Sequence, residues 1–556
     1  MKKLLSFALV CVCTLACGFA QVKKPNIIRT GELKEPSPST YDPASKYDLS
    51  LLEKALKNPL EVYQLSLTNL EKYPQELSKL KNLEELHLNS SGDLKIIPAE
   101  IGQLKKLKKL YIKTCLITTL PKEIGDLTNL EILSLDNSYT VTSLPVEIGN
   151  LKNLIQLDLS GCKLTTLPKE IGGLSKLEIL NLSRNTLLTS LPAEIGNLKS
   201  LKTLSLSECN LTALPKEIGN LKNLEGFYLH SNKDMTAIPS EIGNLKNLKA
   251  LDLSNCNLTS LPKEIGELEK LKKVAFNWNR DLNAIPSEIG NLTSLTYLGL
   301  MNCNLTILPK TIGNLVNLDT LCLQENRNLT AIPAEIGNFK KMKLLQLEQC
   351  NLMALPKEIG DLMSLVNLGL SQNKNLANLP KEIGQLKNLE ILNVQFCDLT
   401  ILPKEIADLT KLKGLYLSRN KKLVVIPAKI YELKNLQEFA VDNLTTLPKE
   451  IVQLKELRIL DLSYCNLSVL PKEIGQLSHL IYLNLVKTNL TKLSKEIGNL
   501  RDLEYLYLDG NKNLTTLPTQ ISNLKKLKSL SLYNTNISEA EKANIKKILP
   551  KCSVDY

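Results

Sequence analysis

Aromatic side chains make up only 4% of this sequence, with one tryptophan and seven phenylalanines among 556 residues. A globular core packed around large rings is therefore excluded. Histidine is scarcer still: His87, His230 and His479 are the whole supply. They stand too far apart in the chain for a histidine-based metal site or histidine acid–base chemistry, and each reads as a surface residue. The chain has no HExxH, no CxxC and no nucleophile elbow, and the glycine of its recurrent "EIGNL" phrase stands alone rather than in a phosphate-binding loop. Charge of one sign is not concentrated anywhere. The 69 basic and 57 acidic residues are interleaved, so a net charge of +12 builds no arm for nucleic acid. These absences leave no enzyme class, cofactor or metal to expect, and no nucleic-acid partner.

Long apolar runs are also missing, except at the start. "MKKLLSFALVCVCTLACGFAQ" carries Lys2 and Lys3, an apolar run from Leu4, and Gly18-Phe19-Ala20 before Gln21. That is the pattern of a secretory signal peptide over residues 1–20. A lipoprotein signal with Cys17 lipidated is the rival, though Thr14 and Leu15 suit it poorly. Export to a periplasm, a cell surface or the medium follows, with no transmembrane segment expected in the mature chain. An intact leader would favour an intracellular scaffold instead.

What the chain has is repetition. The proline of a recurring "LP" or "IP" falls at Pro74, Pro98, Pro121, Pro145 and so on to Pro427, at alternating spacings of 24 and 23 residues. Pro448, Pro471, Ser494 in the proline position and Pro518 continue it. The template is L-x-x-L-x-L-x-x-(C/N)-x-L-T-x-L-P-x-E-I-G-x-L. Leu177, Leu180, Leu182, Asn185 and Leu187 fill it. This resembles the leucine-rich repeat family, and the "LTxLPKEIGNLKNL" phrase is similar to bacterial exported, Ras-group scaffold and plant disease-resistance repeats. The resemblance covers about residues 62–537, about 21 repeats. It implies an α/β solenoid, a horseshoe with a parallel β-sheet on its concave face.

The residues support the same reading without the family. Two leucines alternating with polar positions give the period of a half-buried strand. Ile124, Leu127 and Leu130, three apart, predict a helical turn with Pro121 at its first position. One repeat cannot bury its own apolar groups, so stacking must. Residues 48–61 are expected to form an N-terminal capping helix after a flexible 21–47, and 538–556 a C-terminal cap. Ser538 and Glu541 have the spacing of a capping box.

Ten cysteines follow the leader, an even number in a chain read as exported. Cys115, Cys162, Cys209, Cys256, Cys303, Cys350 and Cys397 recur every 47 residues. Two strand spacings put neighbours about 10 Å apart, beyond the roughly 7 Å reach of a disulfide and far beyond metal coordination. The alternate repeats place Asn185, Asn232, Asn279, Asn326, Asn373 and Asn420 at the same template position. Together with Cys465, these are read as a structural ladder of inward residues at the turn after each strand. Cys322 sits between Leu321 and Leu323, pointing outward, and with Cys552 is the thiol expected to react.

Function in such a scaffold belongs to the outward strand positions. Tyr464, Tyr482, Tyr505, Tyr507 and Tyr533 concentrate near the C-terminus and form one candidate contact patch. Tyr228, Trp278 and Tyr297 form a weaker one. The expected function is a non-enzymatic exported binding protein, monomeric, taking a protein or glycan on its concave face. Host adhesion or enzyme inhibition would use the same surface. The repeat from Leu436 is two residues short and lacks its ladder position, which predicts a break in the array.

Overall fold

The computed structural model describes residues 50–556, so the leader and the 21–47 segment lie outside the described residues. The chain forms two compact units that divide after Gly299. The first carries eleven strands, from β1 (Gln64–Thr68) to β11 (Tyr297–Gly299). The second also carries eleven, from β12 (Thr320–Cys322) to β22 (Ser553–Asp555). Within each unit successive strands pair in parallel without offset: Leu157 faces Leu180 in the first, Leu460 faces Leu483 in the second.

Most strands are three residues long, because only the central residue of x-L-x points inward. Leu180, Leu204, Leu460 and Leu483 are wholly buried at that position. Phe227 and Phe439 take the same place, and Phe276 is wholly buried at the next inward position after its strand. Each fully buried Leu or Phe contributes about 1.5–3 kcal/mol. The ordering of its repeat costs about 1–2 kcal/mol per residue, which is why isolated repeats do not form.

The phrase after the proline forms a five-residue 3₁₀ helix and not an α-helical turn, as at Lys122–Asp126. Pro121 stands one place earlier than expected. It is the N-cap, extended at φ −69°, ψ 154°, and its carbonyl accepts the Ile124 amide at 3.0 Å. The turn closes when the Leu127 amide reaches the Ile124 carbonyl at 3.1 Å. One turn of 3₁₀ rise matches the short path available between strands.

A second regularity was not visible in the template. The residue just before the ladder position adopts a left-handed backbone in nearly every repeat, as at Arg184 (φ 63°), Trp278 (64°), Phe396 (54°) and Tyr464 (64°). Its amide donates to a carbonyl of the following repeat, for example Arg184 to Ser207 at 2.8 Å. The conformation turns the chain off the sheet and places a variable side chain on the rim.

Helix α1 (Ser50–Ala55) precedes β1 and buries Leu52. At the other end, the Ser538 hydroxyl accepts the Glu541 amide at 3.3 Å and starts helix α2 (Glu539–Ile548). Glu541 does not return to Ser538; its carboxylate accepts the Leu517 amide at 3.3 Å. Strand β22, paired with β21 (Ser529–Ser531), is an addition to the cap expected from sequence.

The short repeat does not interrupt the second unit. Its strand β17 (Glu438–Ala440) pairs in register with β16 (Gly414–Tyr416) and β18 (Ile459–Asp461). The deletion is absorbed in the turn, where buried Asp442 accepts the Arg419 amide at 2.7 Å and Cys465 Sγ donates to the Val441 carbonyl at 3.5 Å.

Candidate binding surface

The ladder position shows why two residue types alternate. Asn232 Oδ1 accepts the Leu211 amide at 3.0 Å, and its Nδ2 donates to the carbonyls of Leu206 at 2.9 Å and Leu229 at 2.6 Å. Asn185, Asn279, Asn326, Asn373 and Asn420 repeat this pattern. A thiol can make only part of it. Cys209 donates to the Leu182 carbonyl at 3.3 Å, Cys256 to Leu229 at 3.2 Å and Cys115 to Leu88 at 3.0 Å. Cys162, Cys350 and Cys397 do the same, and the thiols also approach a carbonyl of their own repeat, as Cys303 does Met301 at 3.8 Å and Cys209 does Ser207 at 3.9 Å. Ser91, Ser138, Thr488 and Asn511 fill the same position and were passed over in the sequence. Asn511 was the easiest to find, since it lies 3 residues before Leu514 as Asn185 does before Leu188.

Burial pushes the ladder thiols up, Cys209 to about 11 and Cys162, Cys256, Cys350, Cys397 and Cys465 to about 12. At neutral pH their thiolate population is negligible, which makes them poor nucleophiles. Cys322 corrects the sequence reading. It is buried and is not one of the free thiols, so it offers no reactive group. Cys552 is half-exposed with its thiol raised to about 11, chiefly by desolvation. A disulfide-exchange reagent at pH 8 is expected to titrate Cys552 slowly in the native protein and the ladder cysteines only in concentrated guanidinium. Rapid native labelling of Cys209 would contradict the burial.

No group of three or more His, Cys, Asp or Glu among the described residues is placed to hold a metal ion, and no described helix is long and apolar enough to cross a membrane. His87 is stacked on Tyr111 at 4.4 Å and bonded to Glu85 at 2.7 Å. His230 and His479 lie beside Asp252 and Asp502.

The structure divides the eight aromatic candidates. Tyr482 and Tyr505 are register partners in β19 (Tyr482–Asn484) and β20 (Tyr505–Tyr507), with ring centroids 6.4 Å apart. Tyr507 lies diagonally, 5.3 Å from Tyr482. These three make one patch on the outward face of the sheet. Tyr533 follows β21, 66% exposed, its amide held by Asp509 at 2.8 Å. Tyr464 lies elsewhere: it is a left-handed rim residue, with the Arg419 guanidinium 4.1 Å from its ring centroid and Lys487 at 5.3 Å. Arg419 also reaches Phe396, which is 48% exposed and was missed because its rim position is a backbone property.

The weaker trio does not assemble. Trp278 is a rim residue paired with Arg280 at 5.7 Å. Tyr297 is buried, hydrogen-bonded to Asn277 and raised to about 12 by desolvation. The space above Gly299 is what admits its ring, whose hydroxyl is 2.9 Å from where a Cβ would stand. Tyr228 is half-buried on its own strand, Gly226–Tyr228.

The flank before the strands carries alternating charge. Lys108 pairs with Glu84, Lys202 with Glu178, Lys249 with Glu225 and Lys413 with Glu390, each at 2.8 Å. Solvent screens these pairs, so they favour correct stacking more than they add stability.

A family profile described as "Leucine-rich repeat region" matches residues 132–225, 227–296, 287–375, 357–465 and 457–548. Among solved structures, a leucine-rich repeat protein of Leptospira interrogans is 36% identical over 91% of this chain and 98% of its own, with a TM-score of 0.39. A plant peptide hormone receptor in complex with RGF2 is 27% identical over 85% of this chain and 86% of its own, with a TM-score of 0.55. The Toll–Spätzle complex of Drosophila, 17% identical over 90% of this chain and 89% of its own, has a TM-score of 0.62 and is similar in fold alone. No curated protein sequence matches.

Proposed function

This chain belongs to the leucine-rich repeat proteins, and from that premise we propose that it is an exported binding protein. Its contact surface is the outward sheet face around Tyr482, Tyr505 and Tyr507. Leucine-rich repeat proteins are in general non-enzymatic scaffolds for protein recognition, and this chain is read as one of them. The observation that carries the site is the convergence of the half-buried Tyr505 and Tyr507 rings on Tyr482, at centroid distances of 6.4 and 5.3 Å, with Ile459 beside Tyr482 in register. Tyrosine buries contact area, keeps a polar tip and loses little rotamer freedom on binding.

A polypeptide is the preferred ligand over a glycan. The plant relative was solved with a peptide hormone system, and the tyrosines stand among main-chain strands rather than in an enclosed pocket. Export rests on residues 1–20, whose removal would leave Gln21 as the first residue. Adhesion to a host and inhibition of an enzyme would draw on the same surface, and the identity of the partner separates them.

Affinity capture with purified wild type and with Tyr482→Ala/Tyr505→Ala, followed by identification of the bound proteins, tests the site. Loss of two such contacts is expected to weaken a partner by about 3 kcal/mol or more, enough to remove it from the captured set. An unchanged set from a folded double variant rejects the surface.

A further inference from the structure

The chain is basic overall, yet its charge is not spread over the sheet. In the unit from Leu300 to Tyr556, no lysine or arginine occupies an outward strand position, from Thr320 and Cys322 of β12 to Ser553 and Asp555 of β22. The cations stay on the flanks: Lys413 and Lys528 before the strands, paired with Glu390 and Glu504, and Arg419 and Lys487 on the rim, over Tyr464. The outward positions hold carboxylates instead. Around the tyrosine patch these are Asp461 and Asp555, joined by Asp509 from the turn after β20.

Two of these carboxylates are fixed in place by the backbone. Asp461 accepts the Ser463 amide at 2.9 Å, and Asp509 accepts the Tyr533 amide at 2.8 Å and the Ser531 hydroxyl. Register sets Asp461 opposite Asn484 and Asn484 opposite Tyr507, so the acid flanks the rings on the β18 side. Asp509 follows Tyr507 by two residues and flanks them from within β20's own turn. Tyr482 feels both: burial first, then Asp461, Tyr507 and Asp509, push its hydroxyl well above the ordinary range. Three π faces bordered by oriented carboxylates attract positive charge, since ring quadrupole and carboxylate act with the same sign; the described cation beside Tyr505, Lys528, is already paired with Glu504 at 2.7 Å.

We infer that this face docks a basic polypeptide segment, with a Lys or Arg side chain of the partner seated against Tyr482, Tyr505 and Tyr507 and paired with Asp461 or Asp509. The inference rests on the surface proposed above and gives its partner a chemistry. A planar guanidinium suits the site best, because it stacks on a ring and presents a fork to a carboxylate at once. Tyr464 shows the same contact made internally, with Arg419 on its face at 4.1 Å.

The test uses the full-length chain and three acetylated, amidated probes: hexaarginine, hexalysine and hexaglutamate, titrated calorimetrically at low salt. Hexaarginine is expected to bind more tightly than hexalysine, and hexaglutamate not at all. Tyr482→Ala/Tyr505→Ala and Asp461→Asn are each expected to weaken hexaarginine about tenfold, and Tyr482→Phe to retain most of the affinity because the ring face remains. Lys109→Ala, on the other unit's sheet, is expected to leave it unchanged. Binding that survives in the double variant, equal binding of hexaglutamate, or no binding of hexaarginine overturns the inference. If a captured partner is lost with Tyr482→Ala/Tyr505→Ala but unaffected by Asp461→Asn, the surface stands and its cationic preference fails. If the partner ignores both variants, the surface itself fails.

Discussion

Asn279→Ala is expected to be the most damaging single change at the ladder, lowering the local unfolding free energy by about 4 kcal/mol or more. Asn279 Oδ1 accepts the amides of Cys256 at 3.1 Å and Leu258 at 2.8 Å, and Nδ2 donates to the carbonyls of Leu253 at 2.9 Å and Phe276 at 2.7 Å. The side chain is wholly buried. Alanine would strand four backbone groups away from water, at about 1–3 kcal/mol each before relaxation. Cys256→Ala removes a thiol that donates to the Leu229 carbonyl at 3.2 Å, and is expected to cost about 1–2 kcal/mol. Asn279→Cys, keeping one donor, should fall between. Repeat arrays lose stability locally, so hydrogen exchange of amides in residues 250–282 is the appropriate readout, with the global transition as a second. Equal effects of Asn279→Ala and Cys256→Ala would remove the asymmetry that the hydrogen bonds require.

The second large effect is steric. Gly266 lies in the 3₁₀ turn Lys263–Glu267, where a Cβ would stand 2.3 Å from the Glu288 carbonyl oxygen and 2.7 Å from the Glu288 Cβ of the next repeat. Backbone cannot yield there without unstacking two turns. Gly266→Val is expected to cost about 3 kcal/mol or more, above the usual range for overpacking, because the clash is with main chain. A drop in the midpoint of thermal unfolding together with faster proteolysis near residue 266 would register it. A fully native melting profile would mean that the turns can separate at little cost. The chain supplies its own contrast: Ala407, Tyr431 and Val452 hold the glycine position in three consecutive repeats around the shortened one, and Tyr431 is buried there. Where the turn spacing admits a ring, the glycine is dispensable.

These two residues were legible to different degrees. Asn279 announces itself by recurrence, since a polar residue at a fixed interval in an apolar phrase must answer a buried backbone need. The reason that cysteine alternates with it required coordinates: the thiol takes over donation to the preceding repeat's carbonyl and meets the backbone of that repeat's ladder residue, as Cys256 meets Asn232, but sulfur is a weaker acceptor than the Asn279 oxygen. Gly266 recurs just as regularly, but its spacing alone reads as a turn residue, whereas the constraint is a contact with Glu288, 22 residues later. The three-residue spacing of Ile124, Leu127 and Leu130 was legible as a helical turn, but its 3₁₀ type and the N-cap role of Pro121 were not. Cys322 was misplaced because its neighbours in sequence, Leu321 and Leu323, define its side of the strand but not what covers that side.

The tyrosines mark the same boundary. Their concentration near the C-terminus and the shared column of Tyr482 and Tyr505 could be counted along the chain. That Tyr464 leaves for the rim to meet Arg419, and that Tyr297 lies down over Gly299, could not. The sequence alone determined the repeat, its length, the buried leucine column and the family, because stacking a short unit makes every inward position answer the same demand many times over. Only the tertiary structure decided which outward residues meet. Neighbours on the sheet face are 21 to 24 residues apart in the chain, and the left-handed residue beside each ladder position, invisible in a pattern of side-chain types, decides which side chains stand on the face and which turn to the rim.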